Sequence, residues 1–172
     1  THFRGRPLVD YRAQWGIARD DVTFAGYWQQ TAAVPADERF LASYWSRPRD
    51  DAEGSSVLLL LLNKHYRDED VTSVTVTIDP AALGVGQDYS VYNLESMPGF
   101  RKREELLRAC DRETAYGGRE LDRDPRQELG NDRYFWRNQP GYRLDALQTV
   151  ERDGDTITVT IPARDFVHLV VQ

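Results

Sequence analysis

The chain has few of the residues that build cross-links and metal centres: its 172 residues include one cysteine, one methionine and three histidines. Because Cys110 stands alone, an intrachain disulfide and a cysteine-rich zinc site are both excluded. Its place in an apolar helical pattern is typical of a small core residue. His2, His65 and His168 are far apart and lack metal-ligand spacing, and the alternation of the last strand predicts that His168 faces outward. The sequence predicts no metal centre or triad built on these histidines.

Long apolar runs and charge of one sign are also missing. The longest apolar run, Val57 to Leu62, has six residues, whereas a membrane-spanning helix needs roughly 18. The net charge of −6 comes from 22 basic and 28 acidic residues that are interleaved along the chain. Such a mixture has no broad attraction for nucleic acid or anionic lipid, so we expect neither nucleic acid nor a membrane as a partner. The compartment stays open, and an extracellular or periplasmic one is favoured, since a lack of disulfides does not exclude it.

What the chain does contain is a series of short segments with the two-residue period of β-strands. Val71 to Ile78 is the clearest, with Val74, Val76 and Ile78 expected to face inward. The run Val57 to Leu62 suits a central strand buried on both faces. Near the end of the chain, Asp153-Gly154 joins two alternating segments, and a third apolar segment follows. With no helix long enough for a crossover between parallel strands, the sequence predicts an all-β fold, an antiparallel β-sandwich of about eight strands.

The domain organisation follows from where this β pattern begins and breaks. Residues 1–21 show no clear period and are interpreted as a linker or a packed entry segment, and residues 22–172 as the sandwich domain. Residues 97–142 interrupt the pattern with a charged stretch that has helical character from Lys102 to Glu113. Since a loop this long rarely lacks structure in a compact domain, we expect a partly helical insertion packed on the sandwich. An end on an apolar strand and a start without methionine suggest a C-terminal module of a larger protein.

Several short motifs follow one another along this chain. Asp79 before Pro80 is typical of a helix N-cap, and Gly84 is expected to end that helical turn in the left-handed conformation. The ordered positions are Asn63 after the leucine run, then Asp79, Leu83 and Gly84, then Tyr89, Val91, Asn93 and Leu94. With the closing strand, this set resembles the C-terminal β-sandwich domains that follow the (β/α)8 barrel in many glycoside hydrolases and their uncharacterised bacterial relatives. The resemblance covers roughly residues 22–94 and 144–172, and it departs from the family at the insertion.

The resemblance implies an accessory role. In such hydrolases the catalytic carboxylates lie on the barrel, so no catalytic residue is expected in this chain and its expected partner is the catalytic barrel domain of the parent protein. The predicted function is that of a non-catalytic C-terminal β-sandwich module that stabilises the barrel or shapes its rim. Aromatic residues suit such a contact, and Tyr11, Trp15 and Ile17 in the entry segment are candidates for it.

The alternative is an autonomous carbohydrate-binding module that uses exposed aromatic residues. Its candidate site consists of Tyr134, Phe135 and Trp136 as flat platforms for sugar rings, with Arg137 and Asn138 as neighbouring polar groups. Trp28 and Trp45 are interpreted instead as core or interface residues, because each falls within a predicted strand. No cofactor is predicted, although the oxygen-rich run Asp68, Glu69 and Asp70 could offer ligands to calcium.

Overall fold

The computed structural model describes residues 11–65, 72–97 and 141–172. Its strands are β1 Thr23–Ala25, β2 Ala33–Pro35, β3 Phe40–Pro48, β4 Ser55–Asn63, β5 Ser73–Ile78, β6 Val91–Asn93, β7 Gln148–Val150, β8 Arg152–Asp153, β9 Thr156–Thr160 and β10 Phe166–Val171. The described helices are α1 Tyr11–Trp15 and α2 Pro80–Leu83, with 3-10 turns at Leu94–Ser96 and Leu144–Ala146.

The strands form two antiparallel sheets, which confirms the predicted all-β sandwich. The six-stranded sheet has the order β1-β3-β4-β10-β6-β7, and the four-stranded sheet has the order β2-β5-β9-β8. The described ranges hold ten strands rather than about eight. One reason is that the three-residue strand β2, Ala33–Pro35, includes a proline, which is unusual within a strand. Another is that the chain leaves one sheet and enters the other at Glu151, so one predicted strand becomes β7 and β8.

The main core lies between the two sheets and follows the alternation of the sequence. On β5 the burial pattern is strictly alternating, with Val74, Val76 and Ile78 buried as predicted. From the opposite sheet, β4 contributes Leu59 and Leu61 to the same core. The apolar period therefore marks the inner face of each sheet, where the two sheets cover each other and exclude water.

A second apolar cluster covers the outer face of the six-stranded sheet. It consists of buried Tyr11, Trp15, Leu58, Leu94, Met97, Leu147 and Val170. Within it, α1 lies on the sheet, and the Trp15 indole N–H donates to Ser56 Oγ at 3.1 Å. The leucine run predicted that β4 is buried on both faces. Its inner face is buried, and on its outer face Ser56 and Leu58 are buried whereas Leu60 and Leu62 are only partly buried.

Two expectations about individual side chains on this outer face are wrong. Tyr11 and Trp15 are buried within the module, so they are not accessible to another domain as proposed; Ile17 is partly buried against the same cluster. His168 does not face outward to solvent but is buried. It lies on β10 opposite Leu60 of β4. It shares the outer face of the six-stranded sheet with Val170, which belongs to the second apolar cluster. Alternation places a residue on a face but does not say whether that face is covered.

The short helix α2 has the ends that its sequence predicted. The Asp79 carboxylate accepts the N–H of Ala82 at 3.0 Å, and Pro80 occupies the first turn. Gly84 ends the helix with φ 71°, in the left-handed region that favours glycine. This turn links β5 to the segment that leads into β6.

Candidate functional site

Two of the sequence-predicted sites lie outside the described residues. They are the aromatic and polar group Tyr134, Phe135, Trp136, Arg137 and Asn138, and the acidic run Asp68, Glu69 and Asp70. The carbohydrate and calcium predictions made for them stay predictions, as does the helical insertion. Within the described ranges, no group of three or more histidine, cysteine, aspartate or glutamate side chains could hold a metal ion. The helices of that same part are too short and polar to cross a membrane.

Within the described part of the chain, the exposed large hydrophobic side chains are Phe24, Tyr27, Trp28 and Val34, and Trp28 is 64% exposed. The rings of Phe24 and Tyr27 lie next to the Trp28 ring, and we call these three aromatic residues the aromatic edge. Scattered single exposures are normal, but three neighbouring exposed rings form a patch that suits a partner.

The aromatic edge lies where both sheets end. Strand β1 is the outermost strand of the six-stranded sheet and β2 is the outermost strand of the four-stranded sheet. The Gln30 side chain joins the two layers, because its amide N–H groups donate to the carbonyls of Ala33 at 2.8 Å and Ala42 at 3.0 Å. The Gln30 oxygen accepts the Ala33 N–H at 2.9 Å. The segments that carry Phe24 and Val34 therefore lie on the same side of the sandwich. Their side chains lie on opposite outer faces, because Phe24 pairs with Trp45 in the six-stranded sheet and Val34 pairs with Thr77 in the four-stranded sheet.

The turn between β1 and β2 has a defined conformation. The N–H groups of Gln29 and Gln30 both donate to the Gly26 carbonyl, at 2.9 and 3.1 Å. The Tyr27 N–H donates to Ser43 Oγ on β3 at 3.0 Å. These bonds tie the turn to itself and to the sheet, so its two aromatic side chains project from a fixed backbone.

Glycine at position 26 allows the Trp28 indole to lie against that backbone. A Cβ atom on Gly26 would be 2.6, 2.7 and 2.8 Å from three consecutive ring carbons of Trp28. Three such similar distances place this position over the face of the ring rather than beyond its rim. One face of the indole is thus packed on Gly26, and the high exposure of the side chain leaves the other face open.

The remaining rings stand at steep angles to this indole. The Tyr27 ring is 5.0 Å from it at 88°, and the Phe24 ring is 6.3 Å from it at 66°. Phe24 also packs on the half-buried Trp45 at 5.0 Å, which connects the aromatic edge to the second apolar cluster. Edge-to-face pairs of this kind are favourable aromatic geometries. The edge is therefore a corner of crossed rings rather than a flat platform.

Trp28 was interpreted as a core or interface residue within a strand. The core and strand parts of that interpretation are wrong, and the interface alternative stays a prediction. Strand β1 ends at Ala25, and Trp28 lies in the turn that follows. The tyrosine and tryptophan that continue the aromatic run suggested a longer strand. Gly26 is the signal that could have ended it, since an isolated glycine inside an aromatic strand pattern often marks a bend or a close backbone approach.

The stretch of chain that carries the aromatic edge is itself uncharged. Residues 22–36 contain no aspartate, glutamate, lysine, arginine or histidine. The acids on either side of this stretch are paired: Asp21 with Arg19 at 2.6 Å, and Asp37 with Arg39 at 2.6 Å. The Arg39 guanidinium holds the pKa of Asp37 well below its ordinary value through these hydrogen bonds. A charged ligand would consequently find no free counter-charge within this stretch.

The outer face of the four-stranded sheet has the opposite character. Its two central strands present Ser73, Thr75 and Thr77 opposite Thr160, Thr158 and Thr156. The hydroxyl oxygens of Thr75 and Thr158 are 3.3 Å apart. A shallow depression of about 470 Å³ on this side is lined by Thr75, Glu151, Arg152, Asp153, Thr156 and Thr158. Threonine satisfies the sheet through its branched Cβ and water through its hydroxyl, so this face suits contact with solvent.

No family model, no curated protein and no solved structure matches this chain. The resemblance to the sandwich domains of glycoside hydrolases consequently rests on the ordered sequence positions. The aromatic edge is identified from the geometry alone.

Proposed function

We propose that this chain is a non-catalytic β-sandwich module of a glycoside hydrolase-like protein, and that it packs through its aromatic edge on the catalytic barrel of that protein. The observation that carries the proposal is the concentration of exposed Phe24, Tyr27 and Trp28 in one uncharged stretch. Depletion of charge and enrichment of aromatic residues are the features that distinguish the centre of protein interfaces from other surfaces.

The two broad faces of the sandwich are less suited to this contact. Part of the outer face of the six-stranded sheet is already covered by Trp15 and the rest of the second apolar cluster. The outer face of the four-stranded sheet is lined by hydroxyl groups such as those of Thr75 and Thr158. Burying those hydroxyls against another domain would require a matching partner for each one. The edge offers apolar area without that cost.

The position on two edge strands supports the same reading. A strand at the border of a sheet has backbone N–H and C=O groups on one side without a neighbouring strand, and proteins usually cover or charge such borders. Here β1 carries the exposed Phe24, and residues 22–36 contain no charge to protect the border. The protective devices present are Pro35 on β2 and the shortness of both strands, which have three residues each. Coverage by a second domain would protect both strands at once.

The identity of the partner comes from the resemblance. The ordered motif from Asn63 to Leu94 is similar to sandwich domains that follow a (β/α)8 barrel, and in those proteins the sandwich lies beside the barrel. The barrel carries the catalytic carboxylates there, so the module contributes stability or the shape of the rim. The predicted barrel partner is therefore the occupant to test first.

The direct test is to express the sandwich and the barrel encoded in the same gene as separate polypeptides, and to measure their association by calorimetry. We expect a stable complex that weakens at least about tenfold in the double variant Phe24→Ser, Trp28→Ser, because both exposed rings anchor the contact. Gln148→Ser is the matched control, since Gln148 is exposed on β7 at the other edge of the same sheet. Equal binding by the two variants, or no complex at all, would contradict the proposal.

A further inference from the structure

The hairpin between β8 and β9 turns at the dipeptide Asp153-Gly154. Asp153 pairs with Thr156 across the turn, so the loop itself holds only two residues, Gly154 and Asp155. Gly154 has φ 59°, whereas Asp155 does not have a positive φ. This is the pattern of a type II′ turn, in which glycine takes the first central position. No other aspartate or asparagine in the sequence precedes a glycine.

The side chain and the amide of this dipeptide are both open to reaction. Gly154 is exposed, and an added Cβ there would meet no atom within 4 Å. None of the residues that the structure describes accepts a hydrogen bond from the Gly154 N–H. The exposed Asp153 carboxylate has neither an ion pair nor a hydrogen-bond donor within the same part of the chain. Closing a five-membered ring joins these two groups, and glycine has no side chain to hinder their approach.

Several other aspartates in the described ranges are held by donors. Arginine side chains bind the carboxylates of Asp21, Asp37, Asp50, Asp51 and Asp145. Within the same hairpin, the Asp155 carboxylate accepts the Tyr89 hydroxyl at 3.4 Å. Asp155 is also followed by a threonine, whose branched Cβ crowds the neighbouring amide. Asp153 therefore combines an unbound carboxylate with an unhindered amide.

We propose that Asp153-Gly154 is a site of spontaneous isoaspartate formation in the folded protein. The Gly154 nitrogen attacks the side-chain carboxyl carbon of Asp153, so that a C–N bond forms and a carboxyl C–O bond breaks. The hydrogen of that nitrogen and the hydroxyl of the protonated carboxyl leave together as one water molecule, which gives a cyclic succinimide. Water then adds to either carbonyl of the ring and opens it. One opening restores aspartate, and the other leaves isoaspartate, in which the main chain runs through the side-chain carbon.

Isoaspartate adds one methylene group to the backbone at the tightest point of the hairpin. A two-residue loop has no slack for it, so the chain should lose the pairing of Asp153 with Thr156 and the 2.8 Å hydrogen bond from Thr156 Oγ1 to the Asp153 carbonyl. Strand β8 has only two residues and lies at the border of its sheet. Its release would also free Arg152, whose guanidinium lies 3.9 Å from the Tyr89 ring. The loosening stays local, because β9 keeps its pairing with β5.

The test uses the chain alone, so its result does not depend on the proposed packing on a barrel. The folded protein is incubated at neutral pH in heavy-oxygen water, and the peptide that contains position 153 is followed by mass spectrometry. Hydrolysis of a succinimide places one heavy oxygen in the product, and a protease that cleaves before aspartate but not before isoaspartate distinguishes the two openings. We expect label and protease resistance to build up at Asp153 and not at Asp155. Asp153→Glu is the matched control, since it keeps the carboxylate but needs a larger ring, and it should stay unlabelled.

Two further measurements separate the role of the fold from the chemistry of the dipeptide. A peptide of residues 150–158 gives the rate without the fold, and the folded chain should react within about tenfold of it, a barrier difference of about 1.4 kcal/mol. In the isomerised protein the Thr156 amide should exchange faster with solvent, while the amide of Val76 on β5 stays protected. No labelling of the folded chain, equal labelling at Asp155 or in Asp153→Glu, a folded rate far below that of the peptide, or unchanged exchange at Thr156 would overturn the proposal.

Discussion

The Asn63 side chain donates a hydrogen bond to the backbone carbonyl of Ile161 at 2.9 Å, and so joins the end of β4 in one sheet to the residue after β9 in the other. The same side chain accepts the N–H of His65 at 3.0 Å. Asn63 is fully buried. An amide both donates and accepts, which explains why a polar residue ends the leucine run at this point.

Replacing Asn63 by leucine should cost about 2–4 kcal/mol of unfolding free energy, because two buried backbone groups lose a partner. Urea unfolding of the variant measures this loss directly. Asn93→Leu is the matched control: the Asn93 oxygen accepts one N–H, from Glu95 at 2.9 Å, and the residue is only half-buried. We expect a smaller loss there, about 1 kcal/mol. A smaller effect at Asn63 than at Asn93 would contradict the assigned role.

Truncation of two tryptophans should change the free energy of unfolding by very different amounts. Trp15 is 1% exposed, and its N–H is bonded to Ser56. Trp15→Ala should therefore cost about 3–5 kcal/mol through the cavity that it creates. Trp28→Ala removes an exposed ring and should change the unfolding free energy by less than about 0.5 kcal/mol. Thermal or urea unfolding of the pair tests whether Trp28 is retained for contact rather than for stability, and a large loss in Trp28→Ala would refute that.

Two neighbouring glycines provide a test of the α2 terminus. Gly84 has φ 71°, and a Cβ there would come within 2.9 Å of Ser55 Oγ. Gly84→Ala should destabilise the fold by about 1 kcal/mol. Gly86 has open space around it and lies outside the left-handed region. Gly86→Ala should be neutral or slightly stabilising, since it reduces the freedom of the unfolded chain. Similar losses in the two variants would show that backbone conformation is not the cause.

Tyr142 should give the stability of this protein a dependence on alkaline pH. Burial raises the pKa of its phenol from 10.0 to about 12, with nearby Arg47 opposing this shift and Tyr92 adding to it. Below pH 10 the phenol is protonated in both states, so its contribution to stability is complete. As the pH rises from 10 to 12 the unfolded chain loses the proton first, and unfolding becomes easier. Ultraviolet titration of wild type and Tyr142→Phe should show one late-titrating tyrosine that disappears in the variant, whose stability should fall less over this interval.

Much of the fold could be predicted where local chemistry and burial agree. The alternation of β5 predicted Val74, Val76 and Ile78 in the core, and the structure buries all three. The ends of α2 were predictable because capping depends on residues within one turn of each other. The single-turn helix needed Asp79 and Gly84 at its two ends, and both are there in that role.

Less of the candidate site could be predicted from the sequence. Trp28 was expected in a strand because it follows Phe24 in an aromatic run, yet its exposure depends on the turn that begins at Gly26. His168 was expected outside and Trp15 at an interface with another domain, and both are buried. The burial of His168 and Trp15 depends on segments far away in sequence, which period and composition do not report.

The sequence by itself determined that this is an all-β sandwich, where its clearest strands lie and how α2 begins and ends, because these depend on neighbours within a few residues. Only the tertiary structure decided which faces are covered. It placed α1 over the six-stranded sheet, brought β1 and β2 to one edge, and left Trp28 exposed there. Coverage is a property of contacts between distant segments, and a strand's own residues present the same pattern whether their outer face meets protein or water.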